Sequence, residues 1–167
     1  QFADFVTVGF NQIINNLAKI HYRWGQHADV VIRMPTSAGV GAGPFHSQSN
    51  EAWFFHTPGL KVVYPAFPYD AKGLLKASIR DEDPVIFMES ELMYGDKGEV
   101  PEEEYIIPIG VADVKREGSD VTIVSFGKMM KVALNAAAEL EKENISAEVI
   151  DLRTVRPIDF ETVLKSV

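Results

Sequence analysis

Pro84-Val85-Ile86-Phe87-Met88 decides the fold class of this chain. The run is almost wholly apolar, a pattern typical of a strand buried on both faces of a parallel sheet. Two further apolar runs, residues 30–33 and 60–64, precede it and are separated from each other and from it by segments with helical spacing. The order strand, helix, strand, helix, strand predicts an α/β fold in which crossover helices connect the strands of a parallel sheet.

Three helices are predicted around these strands. Apolar residues recur at helical spacing through residues 9–24, which are expected to form the first helix. Ser49 is the expected N-cap of a short helix over residues 50–55, and Asp70 that of a helix over residues 71–79, because short oxygen-bearing side chains satisfy the first backbone N–H groups of a helix.

The second half of the chain repeats the alternation. We expect strands over residues 121–126 and 147–152, a helix over 130–143 between them, and a turn over 155–159. Asp159 can cap a final helix. With no third strand, so small a sheet buries too little apolar surface for a stable core, and this half is expected to be an incomplete domain.

Composition excludes several classes of function. A net charge of −8 argues against nucleic-acid binding, since phosphates would be repelled. Without cysteine, disulfides, thiolate nucleophiles and zinc–cysteine sites are ruled out. No apolar run approaches the roughly 20 residues of a membrane-spanning helix. The sequence starts at Gln1, with neither an initiator methionine nor a signal peptide. We therefore expect it to be a fragment of a longer chain.

The glycine-rich loop of residues 36–48 is the candidate functional site. It contains three glycines, a proline and His46, and it follows the predicted strand over residues 30–33. Glycines this dense suggest tight turning or close approach to a ligand. Ligands of α/β proteins bind beyond the carboxyl ends of the strands, where this loop lies. His46 is the only titratable side chain between Arg33 and Glu51.

Spaced motifs in one order give the chain a family resemblance. They are His46-Ser47-Gln48-Ser49, Pro58-Gly59-Leu60-Lys61-Val62-Val63-Tyr64-Pro65, Asp70-Ala71-Lys72-Gly73-Leu74-Leu75, Ile79-Arg80-Asp81-Glu82-Asp83-Pro84, Glu91-Leu92-Met93-Tyr94-Gly95 and Asp151-Leu152-Arg153-Thr154-Val155-Arg156-Pro157. Together they resemble the beta subunit of the decarboxylating component of 2-oxo acid dehydrogenase complexes. The run Glu91-Leu92-Met93-Tyr94-Gly95 resembles the pyruvate enzymes more than the branched-chain ones.

The resemblance implies a transketolase-like thiamine diphosphate enzyme. Residues 1–110 would be the later part of the pyrimidine-binding domain, and residues 111–167 the start of the C-terminal transketolase domain. In this family the beta subunit pairs with an alpha subunit in an α2β2 assembly. The alpha subunit holds the cofactor's diphosphate and magnesium, and the product acyl group passes to a lipoyl-bearing acyltransferase core.

The resemblance also assigns two residues to the cofactor site. Phe5 matches the aromatic that lies against the aminopyrimidine ring, although composition alone favours a core role for Phe2 and Phe5. His46 matches the histidine near the reactive thiazolium carbon, which is thought to stabilise intermediates and assist acyl transfer. An imidazole suits both roles near pH 7. A loop histidine bonded to backbone is the alternative for His46.

A potassium ion beside the glycine loop is a further implication of the resemblance. The matching positions are Val30, Ser78, Asp81 and Asp83, largely through backbone carbonyls, and irregular backbone oxygens suit a hard cation. Composition alone favours a different interpretation, in which residues 81–83 are the solvated acidic end of a helix.

Two departures from the family pattern affect function. The family's glutamate that contacts the pyrimidine would lie upstream of Gln1, so we expect residues 1–167 alone to be inactive. Ser37 stands where a glycine is expected, and a positive φ there would cost serine about 1 kcal/mol or more.

The sequence therefore predicts part of a beta subunit that takes part in oxidative decarboxylation of pyruvate and reductive acylation of lipoamide. The second hypothesis is a single-chain transketolase or deoxyxylulose-phosphate synthase. The third hypothesis is a non-catalytic subunit-interaction module. A bacterial cytoplasmic location is expected, with the mitochondrial matrix as the alternative.

Overall fold

Three strands from the first half of the chain and one from near its end form a four-stranded sheet in the computed structural model, which describes residues 2–167. Its strands are β1 (Val31–Thr36), β2 (Lys61–Val63), β3 (Val85–Ser90) and β7 (Thr154–Arg156), in the order β1-β3-β2-β7. Strands β1, β3 and β2 run parallel, as predicted. Strand β7 lies antiparallel to β2, where the sequence predicted only a turn.

Strand β3 is buried on both faces, as its sequence predicts. Ile86 and Met88 pack on one side with residues of the N-terminal helical segment, whereas Val85 and Phe87 pack on the other side with Leu74. All four β3 side chains are almost fully buried. A central strand of this kind has to be covered by helices on both sides, and the crossover connections supply them.

The second half contains a three-stranded sheet. Its strands are β4 (Asp113–Arg116), β5 (Val121–Ser125) and β6 (Ala147–Asp151), in the order β4-β6-β5. Strands β5 and β6 are parallel, and β4 is antiparallel to β6. The expectation that this half lacks a third strand is therefore wrong, because β4 completes a sheet that the helix α4 (Met129–Lys142) covers.

The N-terminal helical region is less regular than predicted. It begins at residue 3 instead of residue 9 and consists of a 3-10 helix (Ala3–Gly9), a π-helix (Gln12–Asn16), a second 3-10 helix (Leu17–Lys19) and the short α-helix α1 (Ile20–Trp24). Helices α2 (Glu51–Phe55), α3 (Pro68–Ile79) and α5 (Phe160–Ser166) lie close to their predicted positions. A short 3-10 helix (Glu91–Met93) follows β3.

Only one of the three predicted helix caps is confirmed. The Asp159 carboxylate accepts a hydrogen bond from the Thr162 N–H at 3.0 Å and caps α5. Ser49 does not cap α2, since its hydroxyl accepts from the Ala38 N–H instead. Asp70 does not cap α3 either, because the helix already begins at Pro68, two residues before Asp70. The Asp70 carboxylate is buried against Arg153 and Lys115.

None of the helices formed by residues 2–167 is long and apolar enough to cross a membrane.

Candidate functional site

The glycine-rich loop begins at the carboxyl end of β1, as predicted. Its two ends are joined because the Thr36 hydroxyl and the Ser37 N–H both donate to the Gln48 carbonyl, at 2.9 and 3.2 Å. Gly39, Gly41 and Gly43 have φ values of +92°, +78° and +81°. These left-handed conformations are the physical reason for the dense glycines, since other residues adopt them only with strain.

The His46 ring contacts two phenylalanine rings of the N-terminal segment. Its ring centroid is 4.6 Å from that of Phe2 and 5.2 Å from that of Phe5, and both contacts are edge-on. The backbone N–H of His46 donates to the Gly43 carbonyl at 3.4 Å. The structure thus brings together the two residues, Phe5 and His46, that the sequence assigned to one site.

The Phe5 ring and the tip of the glycine loop are open to solvent. The Phe5 side chain is 42% exposed although it sits beside a packed cluster, and nothing lies within 4 Å of the Cβ position at Gly41 or Gly43. An exposed aromatic ring offers a stacking surface to a planar ligand. The residues present therefore fit the pyrimidine side of thiamine diphosphate.

Asp4 fastens the aromatic segment to the glycine loop. It is 8% exposed, and its Oδ1 accepts a hydrogen bond from the Gln48 N–H at 3.2 Å. Its Oδ2 is buried without a protein hydrogen-bond partner. Asp4 was missed by the sequence reasoning, and its position between Phe2 and Phe5 was the available signal.

Ser37 does not strain the loop. Among residues 2–167 the only non-glycine residues with positive φ are Asn144 and Arg153, so the conformational cost considered for Ser37 does not arise. The Ser37 side chain is fully buried, and its hydroxyl accepts a hydrogen bond from the Ser90 hydroxyl at 3.2 Å. Serine at this position thus connects the loop to the end of β3.

Tyr64 lies beneath the same region. Burial raises the pKa of the Tyr64 phenol to about 12, and the charge of Glu51 adds to the shift, whereas the Ser90 and Ser37 hydroxyls oppose it. The phenol therefore stays protonated at every pH at which the protein would work. Its role at this position is packing and hydrogen bonding.

The four residues assigned to potassium lie together, but away from the glycine loop. Val30 precedes β1, so it lies a full strand length, roughly 20 Å, from the loop that follows β1. Its carbonyl accepts from the Val85 N–H, and that of Ser78 accepts from the Asp81 N–H. The expected adjacency to the loop is therefore wrong, because the ion residues sit at the amino ends of the strands.

The acidic side chains of this group already have a cationic partner. Lys61 Nζ is 2.6 Å from Asp81 Oδ1 and 3.1 Å from Asp83 Oδ2. No group of three or more His, Asp or Glu side chains within residues 2–167 is arranged to hold a metal ion. Ion binding through backbone carbonyls at Val30, Ser78, Asp81 and Asp83 stays a prediction.

Comparison with known families identifies the fold. Residues 1–97 match the model described as "Transketolase, pyrimidine binding domain", and residues 110–167 match "Transketolase, C-terminal domain". The chain belongs to the transketolase family. A solved relative described as "Split gene transketolase, inactive beta4 tetramer" superposes with a TM-score of 0.81 at 30% identity, covering 99% of this chain and 51% of the relative.

Curated members of the family at about 50% identity are beta subunits. The 2-oxoisovalerate dehydrogenase subunit beta of Bacillus subtilis is 53% identical, with 99% of this chain and 52% of the relative covered. The acetoin:2,6-dichlorophenolindophenol oxidoreductase subunit beta of Cupriavidus necator is 54% identical (99% and 50% covered), and the pyruvate dehydrogenase E1 component subunit beta of Rhizobium meliloti 50% identical (98% and 36%). The chain thus spans about half or less of the length of these relatives.

Proposed function

We propose that this chain is part of the beta subunit of a thiamine diphosphate-dependent 2-oxo acid dehydrogenase. One observation carries the proposal: the exposed ring of Phe5 and the imidazole of His46 meet at the carboxyl end of a parallel sheet, with centroids 5.2 Å apart. The beta subunits at about 50% identity support the same assignment.

The residues of this chain have distinct roles in that reaction. Phe5 offers the face on which the aminopyrimidine ring stacks, and Phe2 and Phe5 together fix the orientation of the His46 ring. When bound, thiamine diphosphate supplies the carbon that attacks the 2-oxo acid. The His46 imidazole would assist acyl transfer to the lipoyl group as a proton donor or acceptor.

Pyruvate is the substrate that we propose. The names of the relatives give pyruvate, 2-oxoisovalerate or acetoin as the substrate. Their sequence identities to this chain, 50 to 54%, do not separate these substrate classes. The preference therefore depends on Glu91-Leu92-Met93-Tyr94-Gly95 alone. Turnover of pyruvate, 2-oxoisovalerate and acetoin by the full-length chain with its partner subunit tests it, and a higher kcat/KM for either of the latter two would contradict it.

The proposed assembly follows the beta-subunit assignment. An alpha subunit would complete an α2β2 tetramer and hold the cofactor's diphosphate and magnesium, and potassium would bind at the backbone site described above. The acyl acceptor would be the lipoyl-bearing acyltransferase core. A bacterial cytoplasmic location is proposed, with the mitochondrial matrix as alternative, since bacterial and mitochondrial relatives both match.

A split or single-chain transketolase is the second candidate. The solved relative at 30% identity supports it, but the beta subunits of dehydrogenases are markedly more similar. The same relative is described as an inactive tetramer, and a non-catalytic interaction module is therefore the third candidate. Transketolase activity, or the absence of any turnover, in the full-length assembly would favour these alternatives.

The experiment that tests the proposed function is substitution of His46 in the full-length chain assembled with its alpha subunit. We expect His46→Ala to lower reductive acylation of lipoamide at least about 100-fold, the scale of general acid–base catalysis. His56→Ala, at an exposed position after α2, is the matched control. Equal rates for the two variants would remove His46 from the reaction. Residues 1–167 alone, mixed with the alpha subunit, should show no turnover.

A further inference from the structure

We propose that Lys128 is a positioning residue that holds the glycine-rich loop from the second half of the chain. Lys128 begins the turn into α4, whereas the loop belongs to the first sheet, 90 residues away in sequence. The Lys128 ammonium group donates a hydrogen bond to the Ala38 carbonyl at the start of the loop. The consequence for catalysis rests on the function proposed above, but the contact itself does not.

The backbone before Lys128 is fixed by close packing. Gly127 has a φ of +54°, and a Cβ atom there would lie 2.8 Å from the ring of Tyr64. Tyr64 is 2% exposed and packs in the core of the first sheet, so its ring cannot turn out into solvent. Only glycine fits this approach, and the turn is thereby pressed against the end of β2, next to the base of the loop.

Lys128 contacts the start of the loop, where the Ala38 N–H also donates to the Ser49 hydroxyl and the Ala38 carbonyl also accepts from the Ser37 hydroxyl. A Cβ atom on Gly39 would lie 3.4 Å from Lys128 Nζ and 3.8 Å from Leu92 Cδ1, whereas nothing lies within 4 Å of the corresponding positions at Gly41 and Gly43. A hydrogen bond from an ammonium group is stronger than one between neutral groups. Lys128 therefore fixes the first glycine of the loop, and the exposed tip follows from that point.

The charges around Lys128 favour this arrangement. Burial raises the pKa of Glu51 in α2, and the positive charge of Lys128 opposes that shift. The other end of the loop is held by Asp4 through the Gln48 N–H. One charged side chain thus fastens each end of the loop that presents His46, the acidic one from the first half of the chain and the basic one from the second half.

The inference predicts a specific kinetic signature. Because Lys128 acts on the loop and not on the substrate, its loss should lower kcat for acyl transfer about tenfold and leave KM for the oxo acid within about twofold. Lys128→Arg should restore most of the rate, since a guanidinium group can also donate to the Ala38 carbonyl.

The test uses the full-length chain assembled with its partner subunit. Lys128→Met is compared with Lys131→Met, which removes a partly exposed lysine one turn along in α4 that pairs with Asp96. Hydrogen–deuterium exchange of peptides covering residues 38–48 is the readout that is independent of activity. Lys128→Met should increase their exchange severalfold, and Lys131→Met should not. Lys128→Gln replaces the methionine variant if the latter does not assemble.

The outcomes separate this inference from the proposed function. Unchanged exchange and unchanged kcat in Lys128→Met, or equal effects of both lysine variants, would overturn the positioning role. If the wild-type assembly shows no turnover of any 2-oxo acid, the proposed function fails while the exchange result still decides the role of Lys128. Lost activity without rescue by arginine would also count against the inference.

Discussion

Gly59 and Gly25 separate the two reasons for which a glycine can be required. Both have positive φ, +93° and +65°, but a Cβ atom on Gly59 would lie 1.8 Å from the Ala18 carbonyl oxygen, whereas Gly25 has open space around it. We expect Gly25→Ala to cost about 1 kcal/mol of stability from backbone strain. Gly59→Ala adds a clash with backbone and should cost roughly 3 kcal/mol or more. Thermal or urea unfolding of the two variants checks this, and similar losses would contradict it.

The raised pKa of the Asp151 carboxyl predicts that the free energy of unfolding depends on pH. Burial raises the pKa of this carboxyl to about 6 from an ordinary value of 3.8, although the Arg153 N–H lowers it through a hydrogen bond. Between these two values the folded state holds a proton that the unfolded state releases. The stabilisation is therefore complete below about pH 4 and is lost as pH rises to 6, by at most about 3 kcal/mol.

Asp151→Asn isolates this contribution. The free energy of unfolding of the wild type, minus that of the variant, should fall by up to about 3 kcal/mol between pH 4 and pH 7. Urea unfolding of both proteins at several pH values measures the difference, in which the titration of the other groups cancels. A difference that is constant, or that rises with pH, would show that Asp151 is not a proton-binding group of the folded state.

Helix α3 is connected to the second sheet by buried charges. The Asp70 carboxylate, which is fully buried in the first turn of α3, is 2.7 Å from Arg153 and 2.8 Å from Lys115 of β4. Asp70→Ala would leave Arg153, itself 8% exposed, without this partner. Breaking a buried pair from one side costs at most roughly 3–5 kcal/mol, and Asp113, which also pairs with Arg153 and Lys115, lowers that cost.

The control for Asp70→Ala is an exposed ion pair. Glu139 and Lys142 of α4 are 2.6 Å apart and mostly exposed, so Glu139→Ala should change stability by less than about 0.5 kcal/mol. Chemical unfolding of both variants tests the contrast. An Asp70→Ala loss as small as that of the control would mean that the buried cluster does not hold the two sheets together.

Elements whose pattern is local could be predicted, and elements that depend on distant partners could not. The apolar run of β3 was sufficient to predict a strand covered on both faces. Strand β7 escaped prediction because three residues carry no periodicity and their partner, β2, lies about 90 residues earlier. Asp70 is of a residue type that often caps helices. Its carboxylate pairs instead with Arg153, which only the tertiary fold brings near.

The candidate site shows the same division. His46 and Phe5 were predicted from the resemblance, and the structure places them in contact. Asp4 and Lys128 were not predicted, because each acts on loop backbone that is close only in the folded chain. The potassium residues were expected beside the glycine loop, but strand polarity places them at the opposite edge of the sheet.

The molecule as a whole consists of two sheets that meet next to the glycine-rich loop. Strand β7, which follows the second sheet in sequence, pairs with β2 of the first, and Asp70, Arg153 and Lys115 bridge the two halves. The contact of Lys128 with the glycine loop lies at the same junction. The two halves are therefore expected to unfold together, and the shape of the candidate site depends on both.

Thiamine diphosphate affinity tests the central claim most directly. The measurement is calorimetric titration of the full-length chain, assembled with its partner subunit, with the cofactor and magnesium. Phe5→Ala should weaken binding about tenfold, since stacking on one aromatic ring contributes about 1–3 kcal/mol. Val8→Ala, at a 95% exposed position of the same 3-10 helix, should leave the affinity unchanged. Equal affinities for the two variants, or no binding by the wild-type assembly, would contradict a thiamine site at Phe5 and His46.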